Sequence, residues 1–438
     1  MKKLFTLVSL FVCTGVIGQN IHRCGTVEAI AHREAENPGY SRAVERTFDQ
    51  VKHIISQKDV NDPDPIYQIP VVVHVVYNTP QENISGDLIY SQIARLNRDY
   101  RRLNADTVDT RSEFLPVAAD AGIEFYLAGV DPQGNPTGGI TRTETTRADF
   151  APDFFGNGLD DVKQSSLGGV DAWDTDNYLN IWVCDLLGDA SLFQILGFAY
   201  PPATAPNWPA NSSASSPEFE GVVVHYQVFG NDSPLATGQL SVADKGRTAV
   251  HEVGHYLGLR HIWGDALFGD GCTEDDGLDD TPNASANAGQ TCNFSNNTCV
   301  DSPVDFPDMI ENYMDYAEEE CMNMFTQDQV DIMRSMLETA RTDLADGTVA
   351  PSGIRDFIDA NEVIMYPNPS SGVVQIQTPS NRTLQQIFVV DMKGSVVHQD
   401  AIQGSSVNHE LELNVEPGAY VLRLQFDSGV AVKKLVVN

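Results

Sequence analysis

Positive charge is scarce in this sequence: 27 Lys and Arg stand against 61 Asp and Glu, a net charge of -34 at pH 7. So acidic a surface repels nucleic acid and anionic membranes, and neither is an expected partner. Long apolar runs are missing too. The one sustained stretch, Leu4 to Ile17, falls short of the roughly 20 residues that span a bilayer, so no transmembrane segment is expected. Lys2 and Lys3 precede that stretch, and Val16-Ile17-Gly18 closes it before Gln19, the pattern of a cleaved export signal over residues 1–18. A lipid-anchored Cys13 is disfavoured by Val12, which stands where a small residue is expected. No two of the seven cysteines form a CxxC pair, which argues against a zinc knuckle. Nothing in a composition of 42% apolar and 20% charged residues indicates bulk disorder.

What is there exceeds a single core. At 438 residues the chain is expected to form two or three domains. Residues 19–65 are polar, with one helical stretch from Tyr40 to Gln57, and end in the linker Asn61-Asp62-Pro63-Asp64-Pro65, as a pro-segment would. Ile69 to Tyr77 is a dense β-branched run, hence a buried strand. Ser85 can cap a helix from Gly86 to Leu103, whose Leu88, Ile89, Ile93, Leu96 and Tyr100 recur at helical spacing. Further strands are expected at 123–127, 178–187, 197–200 and 221–229, and a helix from Gly246 to Leu259. The stretch 262–324 has no periodicity, many Asp, Asn and Gly, and the clustered Cys272, Cys292, Cys299 and Cys321. In an exported chain such a cluster reads as two disulfides, with three pairings open. Thr326 and Gln329 form a capping pair for a last helix with Val330, Met333 and Leu337 on its apolar face. Cys184, His74 and His225 lie in strands without ligand spacing and are expected in the core.

The chemistry concentrates in His251-Glu252-Val253-Gly254-His255-Tyr256-Leu257-Gly258-Leu259-Arg260-His261. Two histidines four apart share one helix face and can reach one zinc. Gly258 can take the left-handed conformation that ends the helix, so that His261 swings back as third ligand. One position then remains for a water, and Glu252, beside the first histidine, is placed to act as its general base. A bare HExxH could be a surface histidine pair with a salt-bridging glutamate. Five fixed positions in eleven, on a helix in an exported chain, point instead to a zinc endopeptidase.

The extended motif resembles that of the metzincins. Their methionine turn is matched by Asn312-Tyr313-Met314-Asp315-Tyr316, which implies that Met314 floors the metal site and that Tyr316 assists at the reacting oxygen. Over residues 66–345 the chain looks like the pappalysin family, especially its shorter bacterial members. That likeness rests on Gly246-Arg247-Thr248, His261-Ile262-Trp263-Gly264, Cys272 to Pro282 and Asn312 to Cys321. It implies an α+β metzincin-like catalytic domain with a mixed sheet, a zinc helix and an irregular C-terminal subdomain held by disulfides and calcium. It also implies the pairings Cys272–Cys299 and Cys292–Cys321. The loop Cys272 to Pro282 is similar to a calcium-binding loop of the family. Asp275, Asp276, Asp279, Asp280 and Thr281 offer the oxygens calcium prefers; the alternative is a solvated acidic loop. Arg23-Cys24-Gly25 resembles a cysteine switch, in which Cys24 would hold the zinc of a zymogen; the alternative is an idle thiol. The activating cut stays open between Ser41 and Pro65. Glu319 stands where related bacterial enzymes line the pocket for the residue after the cut, implying Arg or Lys there. Surface charge is the alternative, since Glu318 and Glu320 flank it.

After a linker at 346–362, residues 363–438 alternate apolar stretches with turns, as in a small all-β sandwich. Met365-Tyr366-Pro367-Asn368-Pro369 at its start and Lys433-Lys434-Leu435-Val436-Val437 at its end resemble the sorting domain of the type IX secretion system. The resemblance implies that machinery as a partner and a secreted or surface-attached product acting on proteins or peptides. The rival readings are a metal-binding adhesin without turnover and a metal-dependent hydrolase of other substrates.

Overall fold

The computed structural model describes residues 21–56, 65–153, 157–188, 194–202, 217–264, 272–273, 275–345, 347–351, 363–379, 382–392, 395–402, 406–426 and 429–438. The expected export signal at 1–18 and most of both expected linkers lie outside them.

The described residues start with a two-residue strand β1 (Ile21–His22), then α1 (Thr26–Glu36) and α2 (Tyr40–Ile55). The sequence pattern anticipates α2 but not α1, whose apolar face is thin and whose first residues lack a side-chain cap.

The catalytic part is built on β2 (Tyr67–Tyr77), in which eight consecutive residues from Ile69 to Val76 are buried. Burial on both faces is what a continuous Val/Ile run in a parallel sheet requires. Helix α3 (Gly86–Tyr100) is capped by the Ser85 hydroxyl, which accepts from Leu88 N, and all five of its periodic apolar residues are buried. Then come β3 (Ala118–Ala119), β4 (Ile123–Leu127), β5 (Ile140–Glu144), β6 (Leu179–Cys184), β7 (Gln194–Ile195), β8 (Gly197–Ala199) and β9 (Val222–His225). The main sheet runs β4-β2-β6-β9-β8. β5 joins the second half of β2, and β8 alone is antiparallel to its neighbour, at the edge. β1 adds a short parallel pairing to β7 beside that edge.

Helix α4 (Arg247–Tyr256) is buried along its whole length. Tyr100 at the end of α3 donates to Val250 O at 3.1 Å, and Gln92 bridges Gly246 O and Gly230 N, so α3 positions α4 directly. From 262 to 324 there is no helix or strand among the described residues. Disulfides Cys272–Cys299 and Cys292–Cys321 cross-link this region, with the pairing the family resemblance implies. β10 (Phe325–Thr326) pairs with β3 and leads into α5 (Gln327–Thr339), where Thr326 and Gln329 form the expected reciprocal capping box. His74, His225 and Cys184 are buried in the sheet, as expected.

The stretch that reads as linker begins later than its composition suggests: Val349 is buried, and Ala350 O accepts from Gly129 N. Beyond it lie β11 (Ile364–Tyr366), β12 (Val373–Gln377), β13 (Leu384–Val390), β14 (Val396–Ala401), β15 (Asn408–Glu412), β16 (Gly418–Phe426) and β17 (Gly429–Val437). They form a three-stranded sheet, β11-β12-β15, and a four-stranded sheet, β14-β13-β16-β17, around one apolar core.

Candidate metal centre

Local geometry brings the three histidines together. His251 and His255 project from one face of α4. Gly258 follows with φ +94°, a conformation that L side chains rarely adopt, and the chain turns back to His261. A Cβ at Gly258 would lie 2.7 Å from Met336 Cε. The Nε2 atoms of His251, His255 and His261 are separated by 3.1, 3.1 and 3.2 Å. Nδ1 of His251 faces Tyr313 O at 2.7 Å and Nδ1 of His255 faces Leu259 O at 2.8 Å. A carbonyl can only accept, so each Nδ1 carries the proton and each Nε2 of this pair carries a lone pair. Two neutral imidazoles in that tautomer cannot hydrogen-bond to each other through Nε2, and a cation between them would take both lone pairs. A tetrahedral zinc bound at about 2.0–2.1 Å sets its ligand atoms about 3.3–3.4 Å apart, close to the observed triangle. The residues therefore fit a zinc ion. Burial and the two neighbouring rings hold His251 well below the ordinary histidine range.

Met314 is fully buried under the centre. A Cβ at Gly254 would come within 2.6 Å of its sulfur, so the helix and the methionine turn meet where only glycine leaves room. The Tyr316 ring lies 4.9 Å from that of His261, and its hydroxyl donates to Cys24 O at 3.2 Å.

The Cys24 Sγ completes the cluster: its ligand atom and those of the three histidines all lie within 4.8 Å of one another. The thiol donates to Glu252 Oε2 at 3.3 Å, and Thr26 Oγ1 lies 3.3 Å from the same oxygen. Burial first, and Glu252 second, push the Cys24 thiol well above its usual range; burial pushes Glu252 up to about 8. The segment is held by the edge strand: Gly25 N donates to Gly197 O at 2.8 Å, and Ala199 N to Thr26 Oγ1 at 3.0 Å.

Glu319 is fully buried, unlike its exposed neighbour Glu320. It accepts from Lys245 N at 2.7 Å, from Thr248 Oγ1 at 2.8 Å, and from Thr248 N. Its Oε1 also takes Arg23 Nη2 at 2.9 Å, while Arg23 Nη1 donates to Ala317 O. In the sequence Arg23 stands out only as the neighbour of Cys24. Its partner is 296 residues away, and no local pattern joins them.

The acidic loop is less convergent. Asp276 Oδ1 accepts from Leu278 N and Thr281 Oγ1, Asp275 from Gly277 N, and Asp280 Oδ2 from Asp328 N. Asp279 donates its own N–H to Asp328. Asp276 Oδ2 and Asp280 Oδ1 are buried without a hydrogen-bond partner. Among the described residues these carboxylates do not gather into a cluster as tight as that around the histidines.

Comparison with known proteins agrees with this geometry. Residues 162–338 match the pregnancy-associated plasma protein-A family, and residues 364–438 match the secretion system C-terminal sorting domain. An extracellular metalloprotease of Uncinocarpus reesii is 34% identical over 267 residues, 60% of this chain and 73% of that protein. One of Arthroderma benhamiae is 28% identical over 271 residues, 61% and 71% of the two chains. Among solved structures, mature mirolysin of Tannerella forsythia in complex with a cleaved peptide is 44% identical with a TM-score of 0.56, covering 65% of this chain and 97% of that one. A mutant of Tannerella forsythia promirolysin is 40% identical with a TM-score of 0.61, covering 74% and 97%. No described helix is long and apolar enough to cross a membrane. The chain belongs to the pappalysin family of metalloendopeptidases, extracellular enzymes with a catalytic metal, and it ends in a type IX secretion sorting domain.

Proposed function

We propose that this is a zinc-dependent endopeptidase made as a latent zymogen, which cuts extracellular proteins before Arg or Lys. Its parts are an export signal at 1–18, a pro-segment at 19–65, the protease at 66–345, a linker at 346–362 and the sorting domain at 363–438. The observation that carries the reading is the four-residue cluster of Cys24, His251, His255 and His261 with Arg23 seated on Glu319.

His251, His255 and His261 would hold the zinc, and Cys24 would join them in the zymogen. Bound zinc supplies Lewis-acid polarisation of the peptide carbonyl and lowers the pKa of a water to about 7. Glu252 Oε2, freed from the Cys24 thiol, accepts the proton of the attacking water and passes it to the leaving amine nitrogen. Tyr316 already donates to one peptide carbonyl beside the histidines, and the same hydroxyl serves the substrate carbonyl. Gly197 O and Ala199 N, which grip Gly25 and Thr26, are free to grip an extended substrate once the pro-segment leaves. The Glu319 carboxylate, buried and oriented by backbone donors, takes the cation of the residue after the cut as it takes Arg23. Calcium in the loop of Asp275, Asp276, Asp279, Asp280 and Thr281 would satisfy the two orphaned carboxylate oxygens of Asp276 and Asp280.

The test is mass spectrometry of the fragments that the activated enzyme and its Glu252→Ala variant make from denatured casein. Cuts by the wild type alone, mostly before Arg or Lys, are expected. Cuts without that preference remove the role of Glu319. An inert wild type with zinc bound and the pro-segment gone would favour an adhesin without turnover.

A further inference from the structure

The pro-segment fills a second hollow that the cysteine switch does not explain. Arg33 on α1 is 5% exposed, although it is a surface-type residue on a segment destined to leave. Its Nη2 donates to Asp160 Oδ2, and its guanidinium lies 4.4 Å from the Phe219 ring centre and 5.3 Å from that of Tyr200. The Tyr200 hydroxyl donates to the same Asp160 oxygen at 2.9 Å, which holds the carboxylate in place from behind. Lys163 occupies the other side of the carboxylate, 3.3 Å from Oδ1, and donates to Phe219 O at 2.6 Å. The ion pair of Asp160 and Lys163 thus leaves one carboxylate oxygen and the Phe219 face for an incoming cation, beside a Tyr200 ring that Lys163 also faces at 4.5 Å. Ala29 and Tyr40, also of the pro-segment, pack into the apolar cluster that contains Leu159, Val162, Phe198 and Tyr200. Ile30 and Val44 pack against the same cluster, so these occupants depart together and the walls stay.

Its position follows from the edge strand. Gly197, Phe198, Ala199 and Tyr200 run from the residue that binds Gly25 to the wall of the hollow. At about 3.3 Å per residue this is about 10 Å. The helical path from Thr26 to Arg33 gives about 10 Å as well, at 1.5 Å per residue. An extended substrate spans that distance in about three residues. Arg23, on the Glu319 side, precedes Cys24, and Arg33 follows it, so the two arginine seats flank the metal centre. We propose that in the mature enzyme the hollow of Asp160, Tyr200 and Phe219 is a second substrate subsite, which takes the side chain of an arginine three or four residues before the cut. This rests on the endopeptidase reading above, with the Glu319 pocket on the far side of the cut.

The test uses the activated enzyme and fluorogenic peptides that all carry Arg after the cut. They bear Arg, norleucine or Glu at the third or fourth position before it. A charge-assisted hydrogen bond contributes about 1.5–3 kcal/mol, so kcat/KM is expected to favour Arg over norleucine by about tenfold to a hundredfold at one of these positions. Asp160→Asn should bring that ratio close to one, and Phe219→Leu, a milder change to a half-buried ring, should lower it without abolishing it. A further pair of peptides, with Arg or norleucine after the cut and norleucine at both positions before it, should give the same ratio for both variants as for wild type. A wild type indifferent to these positions, or an Arg preference that both variants keep, overturns the subsite and leaves Arg33 a latch only. A wild type that cuts none of the peptides overturns the endopeptidase reading and this one with it.

Discussion

Removing the Arg23 side chain is expected to loosen latency without harming the mature enzyme. Arg23 is 3% exposed and Glu319 0%, so their 2.9 Å ion pair is desolvated and little screened by salt. Breaking a buried pair by deleting one partner costs about 3–5 kcal/mol when the other charge is stranded. Glu319 is not stranded here, because Thr248 N, Thr248 Oγ1 and Lys245 N keep donating to it. The loss is therefore nearer that of one charge-assisted hydrogen bond, together with the donation to Ala317 O, about 2–3 kcal/mol. The closed pro-segment should open about 30- to 150-fold more often. In Arg23→Ala zymogen, the initial rate on a fluorogenic peptide before any chain cleavage should rise by that factor. The enzyme left after pro-segment removal should match wild type, because Arg23 has gone in both. A variant zymogen as silent as wild type would refute the reasoning and leave Arg23 a passive neighbour of the thiol.

Other expectations concern different parts of the molecule. Burial holds His74 and His225 down at about 4 while an unfolded histidine titrates near 6.5. The unfolded chain binds protons first as pH falls, so the stability these residues contribute is intact above about 6.5 and is lost between 6.5 and 4, up to about 3 kcal/mol each. Urea midpoints of Glu252→Ala protein from pH 7 to 4.5 should fall more steeply than those of a His225→Gln derivative; parallel curves would contradict this. Gly254→Ala should drive a methyl into Met314 Sδ and lower zinc content together with turnover, measured by metal analysis of the purified variant. Each disulfide closes a loop of 27 or 29 residues, and loop entropy gives about 3.5 kcal/mol for each. Replacing Cys292 and Cys321 by Ala should lower the melting temperature clearly, and an unchanged melt would refute the cross-link's role. Chelating calcium with EGTA should destabilise wild type and leave Asp276→Asn/Asp280→Asn protein nearly unaffected; equal shifts would dismiss the loop as the site.

Much of the fold can be read before any coordinates. β2, α3 and α5 follow from a β-branched run, a helical stripe behind Ser85 and the Thr326–Gln329 box, because in each case local propensity and burial agree. α1 escapes because its position is decided by what it covers. Its thin apolar face and its arginine make sense only against the catalytic domain, with Arg33 on Asp160. β5 escapes as well, since Ile-Thr-Arg-Thr-Glu is polar and is recruited by the second half of β2, beyond the residues that pair with β4. In the site, the three histidines, Glu252 and the turn at Gly258 are legible because their spacing is local. Arg23 on Glu319 and Cys24 on Glu252 are contacts across more than 200 residues, which a single sequence does not encode as a pattern. The burial of Glu319 is of the same kind: inside an acidic triplet, surface charge stays open as the alternative to a pocket until Thr248 and Lys245 are seen to cover it.

The central claim is that holding the metal and moving the proton are separate tasks of neighbouring residues on α4. It is tested most directly by measuring zinc per chain and peptide turnover on the same activated preparations of wild type, Glu252→Ala and His261→Ala. The account predicts one zinc and full turnover for wild type, one zinc and no turnover for Glu252→Ala, and loss of both for His261→Ala. Turnover surviving in Glu252→Ala, or zinc retained at full occupancy without His261, would contradict it.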